Sequence, residues 1–186
     1  MLSPEIFSYI PKEKHISMER EIFPKLVEEG KLYGHIINGL WMDIGKPEEY
    51  LEANRILLKT LDRKQKSKSR DEFELKDPVE IDESVTIDTK SVIGPYAIIG
   101  RNSTIGKNVC IKNSVILSDS RIDDGSSIDG AIIGEGAKIG RNVKISEGCI
   151  IGDQAKVRDN VSLTNKSAIC PGKEVTEKVL KSKIVC

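Results

Sequence analysis

The chain has 186 residues, room for one domain and part of another. Lys plus Arg and Asp plus Glu each total 29, so no net field draws it to nucleic acid or an anionic membrane surface. Aromatic residues make up only 4% while Ile and Val are abundant, which favours stacked aliphatic β-structure over an aromatic-rich core. No apolar run approaches the length of a bilayer span.

In chain order, Ser3-Pro4-Glu5 reads as a helix start, with Ser as N-cap and Pro at the first helical position. Ser17 opens a second helix whose Ile22, Phe23, Leu26 and Val27 share one side; Pro24 should divide it and Gly30 end it. Glu19 and Glu21 fit first-turn carboxylates better than metal ligands. Lys31 to Ile37, the Asn38-Gly39 turn signal and Leu40 to Ile44 predict a hairpin. Pro47 then begins a helix to about Thr60. These elements bury too little surface to stand as a comfortable domain, so 1–60 is expected to be the end of a larger one. Residues 61–79 are a charged linker.

From Ile81 an aliphatic residue recurs every six positions: Ile81, Ile87, Ile93, Ile99, Ile105, Ile111. A five-residue step leads to Ile116, Ile122, Ile128, and a second to Ile133, Ile139, Ile145, Ile151, Val157, Leu163, Ile169. Leu117 competes with Ile116 for the first of these steps. Four residues after most of these positions comes a second inward position that is small or β-branched, such as Ala97, Ser103, Val109, Val115 and Cys149; Ile132 and Lys173 break that pattern. One hexad supplies a short strand and a corner, and three hexads close a triangular coil, with Gly, Asn and Asp at the corners. Sixteen repeats in one phase predict a mainly β fold: a left-handed parallel β-helix of about five coils over 80–172, preceded by a short α+β remnant. An ordinary β-sandwich would show wider strand spacing and no fixed phase. The tail 173–186, with Val175, Val179, Leu180, Ile184 and Val185, is expected to cap the last coil.

Several features carry no chemistry of their own. Gly134-Glu135-Gly136-Ala137-Lys138-Ile139-Gly140 resembles a dinucleotide fingerprint but has one residue too many and opens no helix. Cys149 sits at an inward small position and is expected in the core. With no signal peptide and no zinc spacing, Cys110, Cys149, Cys170 and Cys186 are expected to be reduced thiols in a cytoplasmic protein. The sequons at Asn102, Asn160 and Asn165 read as turn asparagines.

At Ser17-Met18-Glu19-Arg20-Glu21-Ile22-Phe23-Pro24 and at Trp41-Met42-Asp43-Ile44-Gly45-Lys46-Pro47-Glu48-Glu49-Tyr50-Leu51-Glu52-Ala53-Asn54, the chain resembles sugar-1-phosphate nucleotidyltransferases. It looks most like mannose-1-phosphate guanylyltransferases, which pair an N-terminal nucleotide-binding domain with a hexapeptide β-helix. The resemblance implies a reaction in which a sugar 1-phosphate attacks the α-phosphorus of a nucleoside triphosphate and expels pyrophosphate, with Mg2+ neutralising charge. It implies that Asp43, the aspartate of Trp-x-Asp-x-Gly, helps hold that Mg2+ in a complete enzyme; on the residues alone Asp43 reads as a turn-capping carboxylate before Gly45. Trp41 reads as packing rather than a sugar platform. The family's glycine-rich triphosphate loop and second metal aspartate are not found, because Met1 aligns with the middle of such a catalytic domain. The chain is therefore expected to be inactive alone, to serve assembly or regulation, and to be a truncated frame, a fragment or half of a split enzyme. The partners expected are further copies of itself and a missing catalytic half, with sugar phosphate and nucleoside triphosphate bound only by the complete enzyme. Two alternatives differ in class. A hexapeptide acyltransferase would commonly use a histidine base, and only His15 and His35 are present, both before the repeat. A pure oligomerisation scaffold is the other.

Overall fold

The computed structural model describes residues 2–60, 72–164, 166–179 and 182–186. Most of the predicted linker, residues 61–71, lies outside them. Two compact units are present, Met1–Trp41 and Met42–Cys186.

In the first unit, Ser3 caps a 3-10 turn over Pro4–Tyr9, its hydroxyl accepting from the Glu5 amide. Ser17 caps the next helix by accepting from the Arg20 amide, and the Glu21 carboxylate reaches back to the Ser17 N–H at 2.9 Å. Pro24 lies where the predicted helix divides into a π-helical turn, Met18–Ile22, and α1, Phe23–Glu28, and Gly30 follows at positive φ. Ile6, Ile22 and Leu26 form the small core of this unit. The predicted hairpin is not formed: residues 31–44 carry no strand, and Tyr33, Ile36, Ile37, Leu40 and Trp41 are exposed. Two short strands alone are marginal in water, and the unit presents no third strand to hold them. Trp41, expected to pack, is 84% exposed for the same reason.

The second unit is a parallel β-coil whose strands stack into three flat faces. The first face comprises Glu74–Leu75, Val92–Ile93, Cys110–Lys112, Ser127–Asp129, Lys144–Ile145 and Ser162–Leu163. On the second lie Val79–Ile81, Ala97–Ile99, Val115–Ile116, Ile132–Ile133, Ile150–Ile151, Ala168–Ile169 and Ile184–Val185. The third holds Thr86–Ile87, Thr104–Ile105, Arg121–Ile122, Lys138–Ile139, Lys156–Val157 and Glu174–Val175. With six or seven strands per face the coil makes about six turns, against five expected; the difference comes from strands at both ends, outside the aliphatic series.

The hexad aliphatics point inward and stack directly on their counterparts, as in Ile99 on Ile116 on Ile133 on Ile151 on Ile169. Ile116, not Leu117, takes the inward place. The second inward position is better counted backwards, two residues before each aliphatic. This moves it at the first short step from Val115 to Ser114, whose hydroxyl donates to the Lys112 carbonyl and accepts from the Ala131 amide in the next coil. It also places Ala131 inward and Ile132 outward, so neither breaks the pattern. Buried Ser91 and Ser126 make equivalent links, which is how a polar side chain is tolerated inside. The corners run at positive φ on Asn102, Asn108, Asn113, Asn142, Asn160 and Asp119 or on glycine, as the composition predicts, and also on Lys90, Tyr96, Gln154 and Lys166, which it does not.

Both five-residue steps fall at the corner between the first and second faces, in consecutive coils, at Asn113 and Gly130. Each removes one corner residue where α2, Pro47–Thr60, lies. Residues of α2 share a groove with Tyr96, Asn113, Gly130, Gly148 and Lys166, one from each of five consecutive coils. Four coil steps of ~4.8 Å span about 19 Å, and fourteen helical residues about 21 Å, so the helix runs the length of that corner. The phase slips are the seat of the helix.

Candidate functional site

Asp43 is exposed, and the turn before α2 does not use it. The Gly45 and Lys46 amides donate instead to Glu49 Oε2 at 2.8 and 2.9 Å, so Glu49 is the capping carboxylate. Among the described residues no hydrogen bond or ion pair is recorded for the Asp43 carboxylate, which leaves both oxygens for a ligand. One free carboxylate suits Mg2+, which takes few protein ligands and keeps several waters. No group of three or more His, Cys, Asp or Glu that could hold a metal occurs among the described residues.

The groove between α2 and the coil has a volume of about 410 Å³. At one end Lys166 Nζ donates to Glu48 Oε1 at 2.7 Å. At the other, the Arg55 guanidinium lies 4.3 Å from the centre of the Tyr96 ring, with the Lys59 ammonium at 5.5 Å. The hydrogen bond from Lys166 holds the Glu48 carboxyl below its ordinary value of 4.5, and the same bond raises Lys166 above 10.5. A depressed carboxylate stabilises above its unfolded pKa and loses that contribution as pH falls through the folded one; the raised ammonium loses its share as pH rises. The latch is therefore closed between those limits and opens in acid. Amide exchange at Glu48–Leu51, corrected for intrinsic rates, is expected to quicken at pH 3 relative to pH 7, and Lys166→Ala to reproduce the change at pH 7. Both groups are exposed, so the effect is confined to the helix end.

His15 and His35 are exposed, in keeping with ordinary surface side chains. Cys149 is buried, and desolvation pushes its thiol up, which suits core packing and not nucleophilic attack. Cys170 and Cys186, expected to be reduced, are joined in a disulfide with Cα atoms 4.9 Å apart. The pairing was not visible from spacing because adjacency comes only from coil register: Ile169 lies beside Val185, and the next residues meet. The α2 groove was missed in the same way, although the two phase slips marked it. No helix among the described residues is long and apolar enough to cross a membrane.

A model of the GMPPB C-terminal domain matches residues 75–185, and a nucleotidyl transferase model matches residues 1–60. Probable mannose-1-phosphate guanylyltransferase 3 of Arabidopsis thaliana is 42% identical over 64 residues, 34% of this chain and 19% of that protein. Mannose-1-phosphate guanyltransferase of Saccharomyces cerevisiae is 40% identical over 68 residues, 37% of this chain and 19% of that one. The aligned part is thus about a fifth of the length of these relatives. Among solved structures, UDP-N-acetylglucosamine acyltransferase of Francisella novicida superimposes with a TM-score of 0.40 at 17% identity, covering 62% of this chain and 66% of that one.

Proposed function

Because the chain belongs to the family of the GMPPB C-terminal domain, we propose that it is the C-terminal portion of a mannose-1-phosphate guanylyltransferase-like enzyme. Such an enzyme joins a nucleoside triphosphate and a sugar 1-phosphate into a nucleotide sugar and pyrophosphate. The observation that carries this reading is the order of the two matches: nucleotidyl transferase over 1–60, then the coil over 75–185, in one chain.

In this reading Asp43 provides a carboxylate to a Mg2+ site whose remaining groups, with those that cradle the triphosphate, come from polypeptide outside these residues. Mg2+ would supply charge neutralisation at the phosphates. What the chain's own residues do is hold Asp43 ready. Glu49 takes the two turn amides, so Asp43 is not drawn into capping, and α2 lies along the coil corner, latched by Glu48 and Lys166. The coil thereby acts as a rigid support for the metal-bearing turn. The chain alone is inert and serves assembly. We place it in the cytoplasm as part of this reading, where the Cys170–Cys186 bond would be open to reduction.

The test is pyrophosphate release with Mg2+, each nucleoside triphosphate in turn, and mannose or glucose 1-phosphate. The chain alone is expected to give none. Co-expressed with the nucleotide-binding portion of a family member as a separate polypeptide, it is expected to give turnover that falls by roughly a hundredfold or more in Asp43→Asn, as loss of a metal ligand requires. Turnover by the chain alone would overturn the reading.

A further inference from the structure

In five consecutive coils, the corner between the first and second faces passes through a residue at positive φ: Tyr96, Asn113, Gly130, Gly148 and Lys166. Asparagine and glycine accept that conformation readily, and they fill the three middle coils, where α2 passes over. Tyrosine and lysine adopt it only under strain, and they stand at the two ends of the groove. Each of the two holds the helix. Lys166 donates to Glu48, and the Tyr96 ring carries the Arg55 guanidinium at 4.3 Å and the Lys59 ammonium at 5.5 Å. Lys90 and Gln154 share the conformation at the other corners, but among the described residues no aromatic besides Tyr96 does.

We infer that Tyr96 is a positioning residue for the metal-bearing turn: its ring fixes where α2 lies along the corner, and α2 in turn places Asp43. This rests on the nucleotidyl transfer reading. Three observations favour the ring over the ion pair as the pin. First, Arg55 Nε is buried with no hydrogen-bond partner, and Glu52 Oε2 stands 3.8 Å from Nη1, so the ring face is what offsets the desolvation. Second, Lys166 and Glu48 are both exposed, where an ion pair holds geometry weakly, whereas a planar guanidinium stacked on a ring fixes orientation as well as position. Third, a helix of fourteen residues is marginal in water by itself, so its place comes from contacts with the coil. Arg55 lies eight residues after Pro47, about 12 Å along the axis. A rod held there and at Glu48 neither slides nor swings, and the turn that Glu49 closes at Gly45 and Lys46 stays with it. A shift of about 1 Å at a metal ligand is enough to loosen a site.

Tyr96→Asn tests this, because asparagine suits the corner and removes the ring. In the chain alone its melt should be unchanged or raised, while amide exchange across residues 51–58 quickens by roughly tenfold. Tyr96→Phe, which keeps the ring face, should behave as the parent. Arg55→Gln should match Tyr96→Asn in exchange, and the double substitution should add little further. Co-expressed with the nucleotide-binding portion of a family member, Tyr96→Asn should raise the Mg2+ concentration for half-maximal turnover by roughly tenfold and leave turnover at saturating Mg2+ within about twofold. Tyr96→Asn with the parent's exchange and Mg2+ dependence, or Tyr96→Phe as defective as Tyr96→Asn, overturns the inference. So does a lowered melt with turnover reduced equally at every Mg2+ concentration, the mark of a purely structural tyrosine. Absence of turnover in the parent pair counts instead against the nucleotidyl transfer reading, and the exchange rates then still decide whether Tyr96 pins the helix.

Discussion

Ile139→Asp is expected to unfold the coil, whereas Lys138→Asp, one residue earlier on the same strand, is expected to leave it standing. Ile139 is 1% exposed and stacks between Ile122 and Val157. The substitution removes a buried aliphatic, worth about 2–5 kcal/mol, and leaves a carboxyl with no partner, which costs several kcal/mol more even if it takes up a proton. The sum is comparable to the whole stability of a typical domain, about 5–15 kcal/mol. In a coil each turn is held mainly by its neighbours, so a break at a central turn separates the two ends. Lys138 faces solvent between Arg121 and Lys156, directly in register. An aspartate there replaces repulsion with attraction between adjacent rungs, a gain of up to about 1 kcal/mol. Thermal melts followed by far-ultraviolet circular dichroism separate the two outcomes. If Ile139→Asp melted with the parent and Lys138→Asp did not, the inward and outward assignments would be reversed along the whole strand.

The pair of substitutions also shows why so much of the coil was legible in the sequence. An inward position repeated in every hexad constrains side-chain size and polarity each time, so the pattern can be read by counting. The corner asparagines are legible for the same reason: each meets the same backbone demand. Two errors inside the repeat came from counting forward through a short step. Val115 was placed inside, yet Ser114 occupies that place, because the deleted residue belongs to the corner that follows the aliphatic. Counting back from Ile116 or Ile133 recovers the phase. The candidate site was less legible. Asp43 was marked only by resemblance, and nothing in the spacing told that Glu49 would relieve it of the capping role. The predicted hairpin failed because alternation and an Asn-Gly turn describe strands that pair with a sheet, and the first unit presents none. Local signals are reliable where the partner is the next repeat, and unreliable where it lies elsewhere.

Reduction of the Cys170–Cys186 bond is the second change expected to have a large effect. The last strand, Ile184–Val185, is two residues long and has one neighbour, Ala168–Ile169, so few hydrogen bonds hold it. Its outer edge faces no further coil among the described residues, and Ile184 is largely exposed. The bond joins the residues that follow each strand and closes a loop with a sequence separation of 16. Restricting the unfolded chain over a loop of that size is worth about 3 kcal/mol in the loop-entropy account. A reductant should therefore lower the denaturation midpoint, and hydrogen exchange should speed first at Ile184 and Val185 and last in the central coils. Cys186→Ser should melt like the reduced parent and be indifferent to reductant, while Cys149→Ser, in the core and unbridged, should keep the full reductant response. Parent and reduced protein melting together would mean that the register contacts alone hold the terminal strand.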